Sequence, residues 1–164
     1  MMEGQLADVI DEMIADPAIA RLRRAREDVV QLTQRCYEAV LTPKEPGGLS
    51  AEERMALACR MARLTGVPAA VAFYDAHARA TVQNQTLRDV AAGSPAHDPR
   101  LAAIVAHVDR VTTNPHASGR AEIAALVAAG IAERDIVALS ELIAFLSYQF
   151  RVVRGLELLR GDAA

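Results

Sequence analysis

The sequence predicts an all-α protein of about six to seven helices that ends in a long apolar helix. Of its 164 residues, 52% are hydrophobic, but only 4% are aromatic and none is Trp. The core must therefore be built from Ala, Leu, Val and Ile, a composition typical of helices. No stretch alternates apolar and polar residues over the length of a strand.

Cap and proline signals mark the helices near the N-terminus. A first helix is predicted over 5–15. Asp16 followed by Pro17 provides an N-cap and a proline at the first helical position, so a second helix begins there and is predicted to reach Val40. The stretch 42–50 contains two prolines and a pair of glycines, which predicts a loop.

A capping box marks the third helix. The hydroxyl of Ser50 can accept a hydrogen bond from the backbone N–H of Glu53, while the Glu53 carboxylate reaches back to the N-cap. This helix is predicted to end at Gly66, because glycine suits the left-handed backbone of a helix end. Pro68 then opens a fourth helix, which is predicted to continue to Val90.

Two shorter helices follow. Asp98 and Pro99 repeat the cap-and-proline signal and open the fifth helix. Its apolar residues share one side: Leu101, Ile104, Val105 and Val108. The sixth helix is predicted over 118–129 and ends at Gly130.

The longest helix is predicted over 133–160. Six apolar residues along it hold heptad spacing: Ile136, Leu139, Ile143, Leu146, Phe150 and Val153. No charged residue lies between Glu141 and Arg151. A helix that is apolar nearly all round must be covered on several sides, so it is predicted to lie in the core and to contribute to a homo-oligomer interface.

Composition excludes several classes of partner. The net charge of -3 provides no positive field for nucleic acid. The N-terminal stretch MMEGQLADVIDEM carries acids where a signal peptide needs basic residues, and the longest uncharged apolar stretches have about half the length needed to cross a bilayer. We expect a cytoplasmic protein that binds neither nucleic acid nor membrane.

The cysteines and histidines predict no metal site and no cofactor. Cys36 and Cys59 are far apart in sequence and form no short-spaced pair of the zinc or thioredoxin type. The four histidines are scattered, and no three or four ligands converge. Two buried, inert thiols in a reducing cytosol are the expectation.

Three segments carry a family resemblance. They are LSAEERMALACRMARLTGVP, DPRLAAIVAHVDRVTTNP and GRAEIAALVAAGIAERDIVALSELIAFLSYQFR. Together they resemble the carboxymuconolactone decarboxylase and AhpD-like alkylhydroperoxidase superfamily over about 50–155. The resemblance implies an AhpD-like helical domain over 50–164, with residues 1–49 as an N-terminal helical extension packed on it.

The resemblance also implies where redox chemistry would be. Peroxidase members carry Cys-x-x-Cys-x-x-x-His after the turn, where a thiolate attacks peroxide and the second sulfur resolves the sulfenic acid. Matching the family's glycine with Gly66 puts Val67 and Ala70 at the cysteine positions and Tyr74 at the histidine. Matching His77 instead puts Ala70 and a phenylalanine there, so neither alignment yields a thiol.

Residual chemistry is predicted from the acid and base groups that remain near this turn. Tyr74 and His77 are three residues apart on one helix face, and Glu53 begins the preceding helix. A histidine beside a phenol can move protons next to a carbonyl. The decarboxylase branch acts on a lactone without a cysteine pair, so the resemblance implies a non-redox acid–base enzyme, or a binder, for a small organic acid or lactone.

Two alternatives stay open at the level of sequence. In one, Tyr74 packs in the core, His77 lies at the surface, and the protein is a non-catalytic homo-oligomer or partner-binding protein. In the other, Cys59 alone retains peroxidase activity, although its mid-helix position offers no helix terminus to lower its pKa. Arg151 is expected to pair with Glu141 or with another subunit, because an unpaired buried arginine is costly.

Overall fold

A computed structural model describes residues 8–161, and this part of the chain contains helices and no strand. The all-α prediction is confirmed. The helices are α1 Val9–Ile14, α2 Pro17–Arg23, α3 Glu27–Leu41, α4 Ala51–Thr65, α5 Pro68–Thr81, α6 Gln85–Ala91, α7 Pro99–Thr113, α8 Arg120–Ala128 and α9 Glu133–Arg160, with 3-10 turns at Arg24–Arg26 and Pro115–Ala117.

Two helices form the centre of the fold. The middle of α4 is buried from Arg54 to Ala62, and its alanines let α5, α6 and α7 approach closely. The long helix α9 packs against α1, α3, α4, α5, α7 and α8. All six of its heptad residues named above are buried, which confirms the predicted core face. The division into 1–49 and 50–164 stays a prediction.

The predicted caps of α4 are present in the structure. The Ser50 hydroxyl accepts from the Glu53 N–H at 3.2 Å, and the Glu53 carboxylate accepts from the Ser50 N–H at 2.8 Å. Gly66 ends the helix with a left-handed backbone, φ 66°. Because this geometry strains residues with a Cβ, the turn into α5 depends on the glycine.

The second predicted helix is divided, which corrects the sequence analysis. Arg23 ends α2 and turns back to the carboxylates of Asp8 and Asp11, at 2.6 and 2.5 Å. Arg26 then takes the non-helical angles φ -129° and ψ 64° before α3 begins. The first predicted helix corresponds to α1, and its predicted residues 5–7 lie outside the described part.

The fourth predicted helix is also divided, between α5 and α6. The Asn84 side chain accepts from the N–H of Leu87 at 3.2 Å and so caps α6. The Glu52 carboxylate accepts from the backbone N–H groups of Gln83 and Asn84, at 3.0 and 3.1 Å. These groups stabilise the break that the apolar pattern did not predict.

The sixth predicted helix corresponds to α8, which is shorter than predicted and follows a 3-10 turn.

Buried Arg54 organises the loop between α3 and α4. Its guanidinium donates to the backbone carbonyls of Leu49 at 2.9 Å, Val40 at 2.9 Å and Pro46 at 3.1 Å. Burial lowers the pKa of Arg54, and nearby carboxylates oppose that shift. The guanidinium therefore donates hydrogen bonds to backbone carbonyl groups that have no hydrogen-bond partner within a helix.

Helix α9 also presents apolar residues to solvent. Val137 is 58% exposed, and Leu158 and Leu159 are 57% and 68% exposed. By length and composition alone α9 is apolar enough to cross a membrane, with a mean hydropathy of 1.5, but half of its most apolar window is buried inside the protein. A helix buried in the core of a protein passes the same test.

Candidate functional site

The first predicted catalytic residue, Tyr74, lies in the core. Its side chain is fully buried, and its hydroxyl donates to Oε1 of Gln149 at 2.6 Å. Its ring meets Phe150 edge-on, with 5.8 Å between centroids. Burial raises the pKa of Tyr74 well above its ordinary value, so the phenol stays protonated.

The other two predicted residues contact different partners. His77 is half-buried, its Nδ1 lies 2.9 Å from the Phe73 carbonyl oxygen, and its ring stacks on Phe73 at 4.0 Å. Glu53 caps α4 and pairs with Arg100 at 2.5 Å. No hydrogen bond joins any two of Tyr74, His77 and Glu53 in the described residues, and their catalytic roles stay predictions.

The turn that precedes α5 carries no sulfur. Val67 is the N-cap of α5, and Ala70 lies fully buried one turn later. The carboxylate of Glu157, from α9, accepts from the Ala69 N–H at 3.4 Å. The positive end of the α5 dipole is therefore already faced by a carboxylate.

A cavity of about 380 Å³ opens beside this turn, and we call it the turn cavity. It lies among the end of α4, the start of α5, and helices α7 and α9. Val67 and Phe150 supply apolar wall, whereas Thr112, Ser147, Arg151 and Arg154 supply polar atoms. The cavity thus joins an apolar surface to hydrogen-bond donors, as small-molecule sites do.

The turn cavity is positively charged. Arg151 has no ion-pair partner within residues 8–161, and its expected pairing with Glu141 is absent because the two lie ten positions apart on one helix. Arg154 contacts the Glu157 carboxylate only at 3.4 Å. The Thr112 hydroxyl oxygen is buried without a hydrogen-bond partner. An anion with further acceptors would satisfy these groups.

A second cavity, of about 430 Å³, lies among α4, α5 and α6, and we call it the cysteine cavity. Cys59 donates its thiol hydrogen to Oδ1 of Asp75 at 2.9 Å. Arg63 donates to both oxygens of that carboxylate, at 2.7 and 2.6 Å. Arg79 and Arg88 complete the charged part of the wall.

The thiol of Cys59 is held in its protonated form. Burial, and then the hydrogen bond and charge of Asp75, raise the pKa of Cys59 to about 12, while Arg63 acts in the opposite direction. Cys36, by contrast, is exposed, which corrects the expectation that both thiols are buried. Neither cysteine forms a disulfide within the described residues.

Sequence reasoning missed most of both cavities. Two signals were present: Cys59 and Arg63 are four residues apart on α4, and Asp75 and Arg79 are four apart on α5, so each pair shares a helix face. No sequence signal, however, shows that these faces meet α6. In residues 8–161 no group of three His, Cys, Asp or Glu side chains is placed to hold a metal ion.

The fold and these cavities define an all-α protein with arginine-lined cavities and a sulfur-free turn before α5. No protein-family model and no curated protein matches the sequence. Among solved structures, the chain is similar to an uncharacterized peroxidase-related protein from Silicibacter sp. TM1040, with a TM-score of 0.69. The two are 16% identical, and the match covers 79% of this chain and 69% of the other, so the likeness shows the fold.

Proposed function

We propose that this protein is a cytoplasmic, peroxidase-related member of the AhpD-like superfamily that has lost thiol peroxidase chemistry and binds a small organic acid in the turn cavity. Two observations support the superfamily: the sequence segments quoted above resemble it, and the fold is similar to that of a peroxidase-related protein. The two cavities support the other two parts of the proposal, which are the loss of redox chemistry and the binding of an organic acid.

The loss of redox chemistry is supported at both places where a thiol would act. Val67 and Ala70 occupy the turn, and neither can carry a peroxidatic or resolving sulfur. With a pKa of about 12, Cys59 is a thiolate in only about one molecule in a hundred thousand at pH 7. Because the thiolate is the form that attacks peroxide, a lone Cys59 would be a poor peroxidase.

The ligand class rests on a single observation, the Arg151 guanidinium that lines the turn cavity without an ion-pair partner in the described residues. A guanidinium fork matches a carboxylate in geometry and charge. Phe150 and Val67 offer the apolar surface for the body of the acid, and Thr112 and Ser147 offer hydroxyls. A volume of about 380 Å³ suits a small organic acid or a lactone that bears a carboxylate.

Catalysis by Tyr74, His77 and Glu53 is a separate proposal, because none of these three residues lines the turn cavity. Burial raises the pKa of Tyr74 and its hydroxyl already donates to Gln149, so in this arrangement it is a weak proton donor. His77 would be the base, through the ring nitrogen that does not face the Phe73 carbonyl. Binding alone needs none of these three residues.

Benzoate, with benzamide as its neutral analogue, tests the binding proposal by isothermal titration calorimetry. Benzoate should bind and benzamide should not. Arg151→Gln should weaken benzoate binding by about tenfold or more, since it removes a charged hydrogen bond. Arg120→Gln, at an exposed arginine at the start of α8, is the matched control and should change nothing. Benzoate affinity that survives Arg151→Gln would overturn the assignment of the site.

A peroxide-consumption assay with a dithiol reductant tests the loss of redox chemistry. The expected rate equals that of a control without protein. Turnover above this control that disappears in Cys59→Ser would instead establish the residual peroxidase, and the proposal would fail.

The exposed residues of α9 favour a second candidate function, a homo-oligomer that forms through residues 133–160. Val137, Leu158 and Leu159 are each more than half exposed, and large apolar side chains so placed on one helix are typical of an interface. Leu158 also lines the turn cavity, so such an interface would lie beside the proposed ligand site. The same surface could instead bind a different partner protein, without catalysis. Its test is argued in the Discussion.

A further inference from the structure

The cysteine cavity holds more positive charge than its own acid can neutralise. Both oxygens of Asp75 accept from Arg63, and one of them also accepts from the Cys59 thiol. Arg79 lies four residues after Asp75 on α5 but has no ion-pair partner in the part of the chain that the structure describes. Asp75 thus pairs with Arg63 from α4 and not with Arg79 on its own helix.

Arg88 adds a second guanidinium without a counter-charge. Its Nε donates to the Val82 carbonyl at 2.8 Å, and its Nη2 contacts the Gln83 side chain at 3.4 Å. Both partners are neutral, so they fix the position of the side chain and leave its charge unpaired. The second terminal nitrogen, Nη1, has no partner within residues 8–161 and can still donate.

The net result is a cavity wall with three guanidinium groups, one carboxylate and one protonated thiol. It belongs to a chain whose overall charge is -3. A local excess of positive charge in a concave surface attracts anions even when the whole protein repels them. The rest of the wall is apolar and consists of Ala78, Ala91 and Ala92.

We propose that the cysteine cavity is a binding site for a small organic dianion, either a phosphomonoester or a dicarboxylate. Arg79 and Arg88 bind its two negative charges, because each presents a fork of donors that suits phosphate and carboxylate oxygens. The alanine wall contacts the uncharged body of the ligand. Cys59 lies at the buried end of the cavity, where the bound molecule covers it.

This inference is independent of the proposed function. The turn cavity depends on Arg151, whereas the cysteine cavity depends on Arg79 and Arg88, and the two cavities share no lining residue. Arg151→Gln and Arg79→Gln therefore separate the two sites. Failure of one site leaves the other intact.

The test uses calorimetry and cysteine labelling on the same protein. Phenyl phosphate and glutarate are the two dianionic probes, and benzamide is the neutral one. Either dianion should bind, and Arg79→Gln should weaken its binding by about tenfold or more. Arg120→Gln should leave dianion binding unchanged. The dianion titrations are carried out in the Arg151→Gln background, so that binding at the turn cavity does not contribute to them. Binding of one dianion and not the other supports the proposal and identifies the acidic group.

Labelling with iodoacetamide at about pH 9 shows whether the ligand binds beside Cys59. Mass spectrometry measures the extent of labelling at each cysteine. The bound dianion should slow modification of Cys59 and leave exposed Cys36, the internal control, unaffected. No detectable binding of either dianion overturns the proposal. So does dianion binding that persists in Arg79→Gln, or that leaves Cys59 labelling unchanged.

Discussion

The thiol of Cys59 and the carboxylate of Asp75 are joined by a hydrogen bond of 2.9 Å that links α4 to α5. Cys59 is the donor, so the bond exists only while the thiol is protonated. Arg63 donates to both oxygens of the same carboxylate. The pair therefore suppresses the reactivity of the thiol, in contrast to a cysteine beside a helix N-terminus, whose thiolate is stabilised.

Asp75→Asn should lower the pKa of Cys59 from about 12. An anion next to a thiol disfavours the thiolate, so its removal favours ionisation, and Arg63 then faces the sulfur without a competing carboxylate. The pKa should stay above its ordinary value, because burial is the largest cause of the shift and remains. The measurement is the pH dependence of Cys59 alkylation, read by mass spectrometry.

Cys36 in the same sample is the internal control for this experiment, since it is exposed and its labelling should not change. The wild-type rate of Cys59 should still rise at the highest pH measured, whereas the variant should gain reactivity earlier. An identical pH profile for Cys59 in both proteins would contradict the role assigned to Asp75.

The sequence predicted those parts of the fold that depend on neighbours along the chain. The capping box of Ser50 and Glu53 and the glycine end of α4 involve contacts within a few residues, and both were found. At the break after α2, by contrast, Arg23 contacts Asp8 and Asp11 at the start of α1, 12 to 15 residues away in sequence. Such a contact has no local signature, so the apolar pattern alone predicted one continuous helix.

The same reasoning explains what was missed at the cavities. Arg63, Asp75 and Arg88 come from three different helices, and only their packing brings them together. Arg151 was expected to form an ion pair, because an arginine within an apolar helix normally needs a partner. In the structure Arg151 is exposed and lines a cavity, so its charge is not buried and needs no ion-pair partner.

Stability should fall as the pH drops below the ordinary pKa of histidine, and His107 should be one cause. It is 8% exposed on α7, its Nδ1 is buried without a partner, and burial lowers its pKa, with Glu122 opposing the shift. A group whose folded pKa is depressed takes up protons more readily when unfolded, so acid favours unfolding. Its stabilising effect is complete above about pH 6.5 and is lost below it.

The measurement is the Tm of wild type and His107→Gln at about pH 7.5 and about pH 5.5. Wild type should lose more than the variant between the two values. An equal loss in both proteins would show that His107 does not titrate in this way.

Arg54→Met should destabilise the protein by about 3 kcal/mol. Methionine replaces the aliphatic part of the arginine side chain but has no guanidinium. The carbonyls of Val40, Pro46 and Leu49 therefore lose their hydrogen-bond donor. Urea unfolding gives the free energy of unfolding, and Arg120→Met is the exposed control that should change it little. A loss of less than about 1 kcal/mol would mean that water replaces the guanidinium.

Val137→Glu should dissociate the homo-oligomer proposed for α9. Val137 is 58% exposed in the single chain, so a glutamate is tolerated there in a monomer but carries an unpaired charge into an apolar interface. The mass measured by size-exclusion chromatography with light scattering should fall from that of an oligomer to that of a monomer of 17.6 kDa. Thr86→Glu adds the same charge at an exposed position of α6 and should leave the oligomer intact. A wild-type protein that is already monomeric at high concentration would contradict the interface, and the exposed residues of α9 would then need another explanation.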